Sequence, residues 1–318
     1  METFFRYLLG NVLGLDLTTH FGGAVLFFVN DAVKVLLLLY FAVSILGILR
    51  SFISKEKMEK YLGSNNKFLS SFMAALLAIF TPFCSCSSIP IFLTLLKMRV
   101  PFSAAITFLA VSPLVNEYLA VLMPSYFGLP ITLVYIFGGI FVGMTAGFAL
   151  EKLGMASQIE PALQEDADFY TVFNNFKERI KFGFGEGADI VKKLWYWILA
   201  GVALGALIHN YVPDEIIFRA SSVGGIFSVP LSALLGAPIY GSCAGVVPIA
   251  LIFFGKAIPL GTTLAFLMAV SAMSLPEAVM LRGAMKLKLL VAFFISVWLG
   301  IVVLGYFMNL VAPYLVAV

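Results

Sequence analysis

Apolar runs of bilayer-spanning length recur from one end of this chain to the other, at about 31–50, 67–98, 102–122, 131–150, 194–212, 223–255, 260–281 and 287–311. Crossing the hydrocarbon takes ~20 residues of helix, because a lipid-exposed backbone must bond its own amides. Eight such segments in 318 residues, with 61% hydrophobic and 12% charged side chains and a mean hydropathy of +1.03, specify an all-α polytopic membrane protein. Met1–Gly10 lacks the basic stretch, apolar core and small-residue cleavage site of a signal peptide, so this end is expected to be retained as an interfacial piece. A net charge of +3, with no basic patch interleaved with aromatics, argues against a nucleic-acid partner.

Two of the eight segments, 67–98 and 223–255, are too long for one span, and both are interrupted. The first contains Thr81–Pro90, "TPFCSCSSIP"; the second contains Ala237–Pro248, "APIYGSCAGVVP". Displacing the chain by 158 positions superposes these breaks. It pairs Pro90 with Pro248, Ile91 with Ile249, Leu93 with Leu251, Pro101 with Pro259, Phe108 with Phe266 and Leu109 with Leu267, six identities in 20 positions. The spacing predicts an internal duplication: an N-terminal transmembrane repeat over 1–150, a polar connector over 151–193 and a C-terminal repeat over 194–318. The connector carries six Lys/Arg and eight Asp/Glu, and its last part is expected to be an amphipathic surface helix.

Positive charge gathers on the cytoplasmic side. If all eight segments cross, the 20 Lys and Arg divide 9 to 11; if the two broken segments are hairpins returning to the face they entered, the division is 16 to 4. The second plan is therefore expected: six full spans plus two broken or re-entrant hairpins, both termini outside, the connector in the cytoplasm, and the protein multi-pass in the inner (plasma) membrane. Three crossings per half force two inverted repeats, the plan of many secondary transporters, with solute held at the midplane where broken helices meet.

Backbone outside a helix at membrane depth must line a cavity or be buried in protein. The breaks at 83–88 and 239–246 are thus candidate cavity walls. Ser85, Ser87, Ser88 and Ser242 can satisfy freed backbone groups, which is the plain structural use of a hydroxyl there. The chain's three cysteines, Cys84, Cys86 and Cys243, are an odd number in apolar surroundings, so free thiols are expected. A single buried cysteine is usually an inert hydrophobe. A Cys-x-Cys pair in one break with a third cysteine in the matching break suits a soft centre, and with no histidine nearby a trivalent metalloid suits it better than zinc. Hairpins of inverted repeats would bring these thiols toward one another. Among ionisable groups, Asp31 and Lys34 are read as an interfacial ion pair at the start of the first span. Glu117 and Glu277 follow similar breaks, "SPLVNE" and "SAMSLPE", and are candidates for coupling, against the simpler use of capping a helix. Asn116, which aligns with Ser274, joins the candidate lining. Gly138, Gly139, Gly143 and Gly147 form a small-x-x-x-small face for packing helices within one protomer or between protomers of a homo-oligomer.

"TPFCSCSSIP", followed by "SPLVNE" and later "GAPIYGSCAGVVP", resembles the YraQ-like permease family that includes the ArsP organoarsenical efflux permeases. Length, eight apolar segments and central loop agree with that family. The resemblance implies a permease and, for the ArsP members, export of trivalent methylated or aromatic arsenicals, with cysteines such as Cys84, Cys86 and Cys243 as ligands. It implies no enzyme activity, cofactor or metal centre. A permease for a small sulfur compound, a thiol conjugate or an anion would rely on the serines and on helix N-termini instead. A membrane thiol oxidoreductase is disfavoured, since the usual redox spacing is Cys-x-x-Cys. No Walker A motif is present, so the chain does not itself hydrolyse ATP.

Overall fold

The computed structural model describes residues 2–9, 16, 19, 20–52, 66–80, 85–97, 100–115, 117–159, 175–211, 225–238 and 258–315. Its described part is helical: α1 (Glu2–Tyr7), α2 (His20–Phe52), α3 (Lys67–Phe80), α4 (Ser85–Lys97), α5 (Phe102–Leu114), α6 (Glu117–Phe127), α7 (Leu129–Lys152), α8 (Phe176–Tyr211), α9 (Ser228–Gly236), α10 (Leu260–Ala272), α11 (Leu275–Arg282) and α12 (Leu287–Leu315). Three stretches are long and apolar enough to cross a bilayer, Phe21–Ile45, Leu129–Lys152 and Leu287–Tyr314, so the chain is an all-α membrane protein. The helix expected at the end of the connector is continuous with the apolar segment after it, as α8. The helix that carries the first span begins at His20 and its apolar stretch at Phe21, well before Asp31.

The 158-residue period reappears in the helix boundaries. Phe102 and Leu260, Glu117 and Leu275, and Leu129 and Leu287 each open a helix, and α5 and α10 are both 13 residues long. Pro101 and Pro259 precede them with nearly the same backbone, φ −50° and ψ 137° against φ −54° and ψ 139°. Every residue of α5 and of α10 is buried, as befits helices that are apolar on all sides. At ~1.5 Å per residue each is ~20 Å long, too short to cross alone, and each is continued past a break by α6 or α11.

Around this central pair the helices pack antiparallel. Glycine allows the closest approach at matched places: a Cβ on Gly147 would overlap the Ser103 carbonyl, and one on Gly261 would overlap that of Gly305. Gly139 and Gly143 likewise seat α7 on Val115 and Val111 of α5, so the small-residue face serves packing within the protomer. α7 and α12 run antiparallel, with Gly138 against Leu304 and Val142 against Gly300. α2 and α8 do the same, Gly183 lying on Ser44 and Ile48, and Gly187 on Ser44 and Tyr40.

Polar contacts mark the helix ends. Lys67 Nζ at the start of α3 lies 2.7 Å from Glu151 Oε1 at the end of α7, the end where Ser103 at the start of α5 also packs. The Lys286 N–H donates to the Gln158 carbonyl (2.8 Å), so the start of α12 adjoins the segment after α7. In the second half, Ser228 Oγ of α9 and Thr262 Oγ1 of α10 are 3.1 Å apart, and the Gly261 N–H donates to Asn309 Oδ1 (2.7 Å) near the end of α12. The Tyr306 hydroxyl donates to the Ile226 carbonyl.

Candidate functional site

The two central helices break inside the buried core, and each break must satisfy the backbone groups it releases. After α5, Val115 leaves the helical region (φ −131°, ψ 81°) while its N–H still reaches the Val111 carbonyl. The Leu114 carbonyl is taken by the hydroxyl of Tyr135, 2.8 Å away on α7 and 1% exposed. After α10, Met273 leaves the helix (φ −135°, ψ 19°), and Ser274 turns the chain into α11 as its N-cap. Pro276 follows in the first turn, where its missing N–H leaves nothing unpaired.

The second break is also where another part of the chain arrives. The Leu275 N–H donates to the carbonyl of Ala237, 3.1 Å away, just past the end of α9. Ala237 opens "APIYGSCAGVVP", so the cysteine-containing break of the second half starts beside the break between α10 and α11. From the first half, α4 packs on α2, on α5 and, in the other repeat, on α11; α5 and α10 also touch. The start of the second-half break thus meets the break between α10 and α11, and a helix of the first half, α4, packs on α11.

Buried polar side chains lie on α4, α5, α10 and α11 and at the α10–α11 break, within an apolar core. Ser88, Ser112, Ser271, Ser274 and Glu277 are all buried, Glu277 at 1% exposure. Ser271 Oγ bonds back to the Leu267 carbonyl (2.9 Å), a common way for a hydroxyl to be satisfied inside a helix. Among the described residues the Ser112 hydroxyl has no hydrogen-bond partner. The Glu277 N–H donates to Ser274 Oγ at 3.4 Å. Ser274 and Glu277 therefore hold the positions of a capping box, and a carboxylate in the first turn complements the helix dipole. That accounts for the residue types. It does not require a carboxylate as deeply buried as this one, because caps work equally well in water.

Of the other expected site residues, Cys84, Asn116, Ser242 and Cys243 lie outside the described residues. Ser85, Cys86 and Ser87 form the first turn of α4, and Glu117 opens α6; their side chains are likewise outside the described part. Tyr135 was not singled out from sequence, although the signal is present: Tyr135, Gly139, Gly143 and Gly147 recur every four residues, one stripe of α7 facing α5. The concave surface between α7 and α12 is a different feature, an outward groove walled by Phe137, Phe141, Leu299, Val303 and Phe307.

Comparison with known proteins gives a consistent assignment. Residues 20–310 match the family ArsP_1, described as "Predicted permease". The chain is 21% identical over 286 residues to the UPF0718 protein YcgR of Bacillus subtilis, covering 87% of this chain and 93% of that one. It is 23% identical over 257 residues to a Streptococcus mutans protein named "Putative two-component membrane permease complex subunit", covering 78% and 82%. No solved structure matches it.

Proposed function

We propose, from the premise that this chain belongs to the ArsP_1 family of predicted permeases and is a membrane transporter rather than an enzyme, that its solute is a soft, thiol-reactive species, most concretely a trivalent organoarsenical leaving the cell. The observation that carries this reading is the approach of Ala237, which opens the Cys243 break, to the buried break holding Ser274 and Glu277. Solute would bind where the two polar breaks converge, through Cys84, Cys86 and Cys243, with Ser85, Ser87, Ser88, Asn116 and Ser242 lining the path.

Two inverted repeats are part of the proposal. The Lys67–Glu151 ion pair and the Ser103–Gly147 contact support it, because Lys67 and Ser103, on either side of the broken segment, meet the same end of α7, as a re-entrant hairpin requires. Ser228–Thr262 and Gly261–Asn309 support the same for 223–255, at the far end of α12. The antiparallel contact between Val142 and Gly300, themselves repeat equivalents, fits a twofold axis lying in the membrane plane. The connector as far as the start of α8 then lies in the cytoplasm and both termini outside.

In this scheme a methylated trivalent arsenical, arriving with two exchangeable hydroxide or thiolate ligands, trades them for two cysteine sulfurs: two As–S bonds form, the two bonds to the departing ligands break, and two protons pass from the cysteines to those ligands, which leave as water or thiol. The arsenic stays trivalent throughout. Reverse exchange on the other face releases it. Glu117 and Glu277 would couple the cycle to a proton gradient, a common use of carboxylates within membrane segments. An anionic solute fits less well, because acidic residues already occupy the first turns of α6 and α11.

Everted vesicles containing Cys84→Ser with Cys86→Ser, and the triple variant adding Cys243→Ser, are assayed for methylarsenite uptake beside the parent. Serine keeps shape and hydrogen bonding but removes softness. Loss of uptake at equal membrane level is expected; parental uptake by the triple variant overturns the thiol site.

A further inference from the structure

The duplication reaches a charged motif that the proposed site does not use. Between 31–49 and 189–207 eight residues coincide at the same 158-residue offset, among them Asp31, Val33 and Lys34 with Asp189, Val191 and Lys192. Each half thus carries Asp-x-Val-Lys, one copy on α2 and one on α8. Neither copy lies at a helix end: α2 begins at His20 and α8 at Phe176.

Their depth follows from the helix contacts, given the inverted arrangement proposed above. The axis that brings Val142 onto Gly300 must also relate α2 to α8. The contacts of Gly183 and Gly187 with Tyr40, Ser44 and Ile48 place it near Leu36 and Leu194, again repeat equivalents. At ~1.5 Å per residue, all four charged groups lie within roughly 10 Å of the bilayer midplane, one pair on each side.

They are not tucked into the core. Lys34, Asp189 and Lys192 are exposed and Asp31 is half-buried. Lys34 shares its stripe with Leu37, Phe41 and Ile45, at 43%, 51% and 55% exposure, and Lys192 shares its stripe with Trp195 at 51%. Asn30 Nδ2 meets Asp31 Oδ1 at 3.4 Å, but Lys34, Asp189 and Lys192 stand on a stripe that suits lipid, where charges do not belong, and Asp189 is too short to reach the headgroups. Something polar must cover this face.

We propose that the outer face of α2 and α8 is a homodimer interface within the membrane. A second copy, related by a twofold along the membrane normal, brings the same motif to the same height. Asp31 then faces Lys34 of the second copy while Lys34 faces its Asp31, and Asp189 and Lys192 repeat the exchange across the midplane. An Asp and a Lys one helical turn apart are self-complementary under a twofold, the defining property of an isologous contact. Trp195 and Tyr196 supply the large aromatic area that membrane and protein interfaces favour.

The test uses full-length protein in lipid nanodiscs with two different affinity tags, reading pairing by co-purification and single-molecule photobleaching. The parent is expected to pair with itself. Lys34→Asp with Lys192→Asp should weaken pairing about ten-fold or more, by setting like charges opposite one another. Exchanging all four charges (Asp31→Lys, Lys34→Asp, Asp189→Lys, Lys192→Asp) should restore self-pairing, while the exchanged form fails to pair with the parent. A thermal-unfolding midpoint within the parental range certifies each variant as folded. A monomeric parent overturns the proposal, as does pairing indifferent to Lys34 and Lys192. An exchanged form that is folded but monomeric also overturns it, and points to a different subunit or to anionic lipid on this face. The readout is pairing and not transport, so loss of the thiol site would leave it untouched.

Discussion

Tyr135→Phe isolates one oxygen atom at the break of a central helix. Tyr135 is 1% exposed, and its hydroxyl donates at 2.8 Å to the carbonyl that α5 releases at Leu114. Phenylalanine preserves the ring and its packing on α5, so the change leaves a buried acceptor unpaired with almost no cavity. A buried group that loses its partner costs about 1–3 kcal/mol, more than the net worth of an average hydrogen bond. For a two-state domain of 150–250 residues 1 kcal/mol lowers the melting midpoint by roughly 2–4 °C, so a fall of several degrees is expected in detergent or nanodiscs. Intrinsic fluorescence can follow it, because Trp195, Trp197 and Trp298 lie on α8 and α12. If Tyr135→Phe melts with the parent, the break does not depend on this hydroxyl and the burial argument fails.

Three further outcomes are expected. Single cysteines at Asn66, Leu153 and Phe227, all exposed in the structure, are placed in a cysteine-free background and probed with an impermeant maleimide. Asn66 and Leu153 should react from one side of the membrane and Phe227 from the other; labelling of Asn66 and Leu153 from opposite sides would remove the first hairpin. Glu277→Gln should abolish transport driven by a pH gradient while passive exchange of solute continues, and normal pumping would leave Glu277 a cap. Gly147→Leu should prevent stable assembly, because its side chain would occupy the Ser103 carbonyl; a parental yield by size-exclusion chromatography would contradict the close α5–α7 crossing.

How much of this was legible beforehand depends on what each feature rests on. The apolar helical character of the chain and the 158-residue offset shared by its helix boundaries were readable because bilayer thickness and helix rise leave little choice of length, and because prolines such as Pro101 and Pro259 keep their places at that offset. The glycine stripe on α7 was readable as a packing face for the same reason, since small residues four apart can serve little else. The motif "SPLVNE" was recognisable as a break, but not as the end of a helix buried on every side. Hydrophobicity is the same whether a segment meets lipid or protein, so only the packing distinguishes α5 and α10 from the helices around them.

What the amino-acid sequence determined by itself is therefore local and periodic: a helical membrane protein whose residue pattern recurs at an offset of 158, with polar interruptions at matched positions. Tertiary structure alone decided which ends meet. It put Lys67 beside Glu151, Ala237 beside Leu275, and Tyr135 under the carbonyl freed at Leu114. It also moved Asp31 and Lys34 from the expected edge of a span into the interior of α2. Such pairings join residues as many as 84 positions apart, and no local propensity encodes them. They follow from how buried helices of fixed length, crossing at glycines, can share one apolar core while groups freed at a break, such as the Leu114 carbonyl, find partners.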